Sequence, residues 1–114
     1  MIKVEILKSL VFEIKKKFNK KEANKILDLI SSLKEQPKKG KLLGSVGGIV
    51  IKEIKYKKYR FYFLAEGHKL KCFSEGDLID LLLRFVRMSD KKHQQETINQ
   101  IREILVKIGP KGLD

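Results

Sequence analysis

Between Leu10 and Leu64 the spacing of apolar side chains changes from a period of about 3.6 to a period of two, which limits the chain to folds combining helices with a sheet. Leu10, Val11, Ile14 and Phe18 recur at i, i+1, i+4 and i+8, and Lys15-Lys16-Lys17 falls largely on the other face of a short helix. Asn19, with Glu22 three residues later, has the spacing of a capping box. Ala23, Ile26, Leu27, Ile30 and Leu33 then predict a second helix to about Lys34, so two antiparallel helices meet at a tight turn. The stretch from Gln36 to Gly48 holds Pro37 and four glycines without sustained periodicity, and it predicts a basic loop. Ile49–Tyr56 and Tyr59–Leu64 are β-branched and aromatic, with Lys57-Lys58 between them as a hairpin turn.

The flanks extend this pattern. Ile2–Ile6 alternates as a short strand. Glu66-Gly67-His68 reads as a turn into a third hairpin strand carrying Leu70 and Cys72. In the apolar run from Leu78 to Met88, Leu78, Leu81, Leu82, Phe85 and Met88 form one helical stripe. Asp77, Asp80, Arg84 and Arg87 form the other, and Ser74 with Asp77 has capping spacing; helix is favoured over strand there. Ser89-Asp90 caps a last helix with Ile98, Ile101, Leu105 and Ile108 on one side, ended by Gly109-Pro110. The expectation is a single α+β domain over residues 1–114.

Charge indicates what such a domain meets. The 114 residues carry 26 Lys and Arg against 14 Asp and Glu, net +12, yet 42% are hydrophobic, which excludes a disordered polycation. Residues 1–60 hold 17 basic and 6 acidic side chains, whereas 61–114 hold 9 and 8. A merely lysine-rich surface would match the total but not this asymmetry. The densest basic stretch with aromatics, Lys34 to Arg60, suits phosphate binding by counterion release, and its tyrosines suit stacking on unpaired bases, so nucleic acid is the leading partner class.

Other classes find less support. No apolar run approaches the ~20 residues needed to cross a bilayer, and the start lacks the apolar core of a signal peptide, so a cytoplasmic protein without a membrane partner is expected. Cys72 is the only cysteine, which permits no internal disulfide and makes a poor metal site; neither a metal nor a cofactor is expected. Cys72 itself reads as a small buried apolar group. His68 and His93, the two imidazoles, formally allow a two-histidine ribonuclease, although each reads more simply as a solvated side chain. Gly44, Gly47 and Gly48 precede a strand, so they lack the helix N-terminus of a phosphate loop.

The order strand, two helices, Pro37-Lys38-Lys39-Gly40-Lys41-Leu42-Leu43-Gly44, then Ile51-Lys52-Glu53-Ile54-Lys55 and Tyr59-Arg60-Phe61-Tyr62-Phe63, then Phe85-Val86-Arg87-Met88-Ser89 before a last helix, resembles the RelE/HigB family of type II toxins. The likeness spans most of the chain and is strongest over residues 37–63. It implies a curved antiparallel sheet with the helical hairpin on one side and a basic concave face on the other. It also implies a toxin that cuts messenger RNA on the ribosome without a metal and is held inactive by an acidic antitoxin. Lys55, Arg60, Arg87 and His93 would be its catalytic residues, and Lys38, Lys39, Lys41, Lys52, Tyr56, Lys57, Lys58, Tyr59 and Arg84 its RNA-binding ones. Such cleavage needs a proton acceptor for a 2′-hydroxyl, cations for the pentacovalent phosphate and an acid for the departing 5′-oxygen. The chain departs from RelE itself in having Ile51 and Glu53 at two catalytic lysine positions, whereas Glu53-x-Lys55 is closer to HigB-like relatives. A cross-strand ion pair with Glu53 is the structural alternative for Arg60. A non-catalytic RNA-, ribosome- or antitoxin-binding protein of the same fold, and a ParE-like gyrase inhibitor, are the competing functions.

Overall fold

The computed structural model describes residues 2–68 and 80–114. Strand β1 (Ile2–Ile6) leads into helices α1 (Lys8–Lys17) and α2 (Lys20–Ser31), the latter closing in a 3₁₀ turn over Ser32–Lys34. Strands β2 (Lys41–Val46), β3 (Ile49–Tyr56), β4 (Tyr59–His68) and β5 (Asp80–Asp90) follow. Helix α3 (Gln94–Lys107) and a 3₁₀ turn over Pro110–Leu113 complete the chain. The strands form one sheet in the order β1-β5-β4-β3-β2, in which β1 runs parallel to β5 and the other pairs are antiparallel. The architecture is α+β, as expected, with one parallel pairing at the edge.

The helical hairpin forms where its pattern predicts. The Asn19 side chain accepts a hydrogen bond from the Glu22 amide at 2.8 Å, which satisfies one of the free donors at the start of α2. Lys15, Lys16 and Lys17 lie in the last turn of α1, where they complement the negative end of its dipole. Leu10, Ile14, Ala23, Ile26, Ile30 and Leu33 pack on one face of the sheet against Ile54, Phe61, Phe63, Leu83 and Phe85, and Phe63 stacks on Phe85 with ring centroids 4.6 Å apart. Each large side chain buried there contributes about 1.5–3 kcal/mol over leaving it exposed. The opposite face carries Ile51, Tyr62, Leu64 and Val86, and Ile98, Ile101 and Leu105 of α3 cover it together with Leu113.

Three segments differ from the sequence reading. Residues 80–90 form a strand, not a helix. Both faces of β5 are covered, Leu83 and Phe85 by the hairpin and Val86 by α3, and a register shift opposite Tyr62 and Phe63 breaks the alternation. A strand buried on both sides therefore reads as a near-continuous apolar run, and a bulge within it mimics a helical stripe. Lys41–Val46 is a strand where a loop was expected; as the edge of the sheet it pairs only with β3, through an irregularity between Leu42 and Gly44. Glu66–His68 continues β4 and makes no turn. The expected strand around Leu70 and Cys72, and the Ser74–Asp77 cap, lie outside the described residues. At the last helix, Asp90 ends β5 and its carboxylate accepts from the His93 amide at 2.9 Å, so α3 begins at Gln94, later than the expected cap.

The implied open basic face is only partly realised, because α3 occupies most of that side of the sheet. What remains uncovered lies beyond its N-terminal end. Among the described residues, no helix is long and apolar enough to cross a membrane.

Candidate nucleic-acid interface

Pairing across the sheet determines which charged side chains meet. Lys55 is the direct partner of Arg60, and Arg60 of Ser89; in the next row Lys41 pairs with Glu53, Glu53 with Tyr62, and Tyr62 with Arg87. Residues opposite one another project to the same side. Since Tyr62 packs against α3, these rows face α3 as well.

At the end that α3 leaves open, Lys39, Gly40, Lys41, Glu53, Ile54, Lys55, Arg60 and Leu29 line a cleft of about 630 Å³. The cleft wraps around β3 where its neighbour stops, because β2 pairs with β3 only as far as Glu53. Four cations and Glu53 thus line the same cleft, with none of the four within 4.0 Å ion-pair distance of the Glu53 carboxylate. Gly40 makes this grouping possible: its φ is +111°, and a Cβ there would stand 2.9 Å from the Phe63 ring and 3.1 Å from the Glu53 carbonyl. Only glycine lets Lys39 and Lys41 turn so close over the sheet.

Glu53 and Arg60 are buried, at 6% and 8% exposed. No ion pair links them, so the structural alternative for Arg60 is absent among the described residues. The Glu53 carboxylate instead accepts from the Gln94 amide nitrogen, at 3.2 and 3.1 Å to its two oxygens. Arg60 donates to the Tyr59 carbonyl at 3.4 Å, which leaves most of its five N–H donors for a ligand. Behind them the Tyr62 hydroxyl lies 2.7 Å from Ser89 Oγ, which donates to the Asp90 carbonyl. Burial pushes the Tyr62 hydroxyl above its ordinary pKa, and the nearby Glu53 charge adds to the effect.

The remaining expected site residues are dispersed. Arg87 donates to the Val86 and Leu113 carbonyls at 2.8 and 2.9 Å, and Arg84 pairs with Asp114, so the C-terminal turn holds both arginines away from the cleft. His93 lines a separate groove with Glu96, Thr97, Asn99, Gln100 and Glu103. Its Nδ1 is 2.8 Å from Asp90, and this contact holds the Asp90 carboxyl below its usual pKa. Lys52 points to the helical-hairpin side, where it donates to the Lys38 carbonyl at 3.2 Å and sits 5.8 Å from the Phe63 ring centre, fixing the loop that carries Lys39. Tyr56, Lys57, Lys58 and Tyr59 form the hairpin tip. Lys57 there adopts φ 54° and donates to Glu22 at 2.6 Å, which raises its pKa. Sequence reasoning missed Glu53 as a cleft group and Gln94 as its partner; the Glu53-x-Lys55 spacing was the available signal for the first, and 41 residues separate the second.

The arrangement provides a buried carboxylate able to accept a proton beside cations able to hold a phosphate. Compared with family models, characterised proteins and solved structures, the chain matches none of them.

Proposed function

We propose that the protein is a toxin of the RelE/HigB kind, a cytoplasmic endoribonuclease that cuts messenger RNA on the ribosome and is neutralised by an acidic antitoxin. The observation that carries the reading is the convergence of Lys39, Lys41, Lys55 and Arg60 with Glu53 in the lining of one open cleft. In this reading Arg60 and Lys55 hold the non-bridging oxygens of a phosphodiester. Glu53, oriented by Gln94, takes the proton of the adjacent 2′-hydroxyl. The 2′-oxygen then bonds to phosphorus as the bond to the 5′-oxygen breaks, and the leaving oxygen receives a proton from the Lys55 ammonium. The products are a 2′,3′-cyclic phosphate and a 5′-hydroxyl.

Induced expression with mapping of RNA ends tests this. Growth arrest accompanied by ribosome-dependent cuts is expected, with Glu53→Gln slowing cleavage about 10²–10⁴-fold and Arg60→Ala abolishing arrest. Gyrase inhibition without RNA cleavage would overturn the reading. A second reading, RNA binding without cleavage, is favoured by the engagement of Arg84 and Arg87 with the C-terminal turn and of His93 with Asp90, which withholds three expected site residues from the cleft. RNA retention without cut products would select it.

A further inference from the structure

Three chain reversals stack at one end of the molecule, and each brings lysines there. Phe18, ahead of the α1–α2 turn, meets Tyr59 edge-on at 4.9 Å, and Lys57 reaches Glu22 at the start of α2. The amide of Lys91, just past β5, donates to the Lys58 carbonyl at 3.1 Å. The end therefore gathers lysines from the α1–α2 turn, the β3–β4 turn and the β5–α3 turn, although Lys91 and Lys92 belong to the half of the sequence that is nearly neutral. Of the acidic side chains here, Glu22 is taken by Lys57, while Asp90 bonds to His93 and its charge is also felt by Lys17. Among the described residues Lys17, Lys58 and Lys91 have no carboxylate partner.

The tyrosine at the centre is already engaged. Lys17 and Lys58 place their ammonium groups 5.2 and 5.9 Å from the Tyr59 ring centre, and Phe18 takes a third approach. Tyr59 thus steadies two like charges near each other and is not free to stack on a base. A groove of about 530 Å³ runs between these groups. Ammonium groups in excess over the nearby carboxylates suit successive phosphates, and a groove whose Tyr59 ring is already engaged is suited to gripping the backbone more than to reading bases.

We propose that this lysine end is a second RNA site, one that grips the phosphate backbone independently of sequence and anchors the RNA strand whose scissile bond enters the cleft. It rests on the RNA reading above. Lys55 and Arg60 are adjacent along the hairpin to Tyr56 and Tyr59 but face the opposite side of the sheet, so the bound RNA bends around the uncovered edge of β3.

Fluorescence anisotropy with two labelled single-stranded RNAs of different sequence, measured over a range of KCl concentrations, tests the site on the full chain. The pair of substitutions Lys17→Gln and Lys58→Gln is expected to weaken binding of both RNAs about 10-fold and to flatten the log-log salt slope by about 1.4, since each phosphate contact on a single strand adds about 0.7. The control pair Lys8→Gln and Lys111→Gln removes the same charge elsewhere on the surface and should leave the slope unaltered. An unchanged slope in the first pair, or an equal fall in the control, overturns the second site while leaving the cleft intact. Failure of the unsubstituted protein to bind either RNA overturns the RNA reading itself.

Discussion

The two faces of the sheet are built on different terms. On the hairpin side two helices cover the strands with aliphatic and aromatic side chains, and the buried residues in that cluster are all apolar. On the other side a single helix covers the strands, and the three polar or charged residues that are buried among the described residues, Glu53, Arg60 and Ser89, lie near the end it fails to reach. The contrast shows where a small domain places chemistry. One face supplies enough burial to fold, and incomplete cover on the other leaves charged groups half sheltered, where water screens them weakly and a ligand can still enter.

Substitutions can break this division. Phe61→Ala, in the hairpin-side core, should cost about 3–5 kcal/mol in urea denaturation, because it leaves a cavity among fully buried neighbours; the folded fraction should bind RNA as before. A comparable loss from a substitution at the cleft would contradict the division. Arg60→Ala should cost no more than about 1–2 kcal/mol of stability but weaken RNA binding by about 10- to 100-fold, as removal of a charged hydrogen-bond donor does. Tyr62→Phe tests whether the polar row behind the cleft supports the fold. Loss of its bond to Ser89 should lower stability by about 1 kcal/mol, with little effect on binding.

The smallest effect concerns Asp90, whose folded carboxyl is held low chiefly by the His93 side chain and then by its amide. A depressed pKa stabilises the fold above the unfolded value, and that contribution disappears as pH falls through the folded value. Asp90→Asn should therefore reduce stability at neutral pH and make no difference well below about pH 4. Thermal melts at the two pH values measure the difference.

Much of the hairpin face was legible in the sequence. The stripe from Ala23 to Leu33 and the Asn19–Glu22 spacing are local signals, each spanning a few turns of one helix, and no tertiary contact is needed to interpret them. The β3–β4 hairpin was equally local, and it placed Lys55 beside Arg60. What escaped depended on partners distant in the chain. Strand β5 is sandwiched between helices on both sides and loses the alternation that marks a half-buried strand. Strand β2, with Leu42 and Leu43 adjacent and Gly44 after them, shows no period-two alternation and holds its place only through β3. The cleft was half legible: its cations cluster in sequence, but Gln94 orients Glu53 from 41 residues away, and the hold of Leu113 and Asp114 on Arg87 and Arg84 depends on the last turn folding back.

The parallel pairing of β1 with β5 also bears on how the molecule assembles. Ile2 finds its partner at Leu81 and Ile6 at Phe85, and the Leu7 amide bonds to the Phe85 carbonyl at 3.0 Å. Most of the sheet grows from neighbouring strands, but this pairing must close a loop of nearly eighty residues before it gains a single bond, and contacts of such long range slow folding. Of the described strands the ribosome makes β1 first, and it is the last that can be locked into place. Until β5 has been made, Ile2, Val4 and Ile6 remain without their strand partner, and during that interval the nascent chain has most need of protection from aggregation.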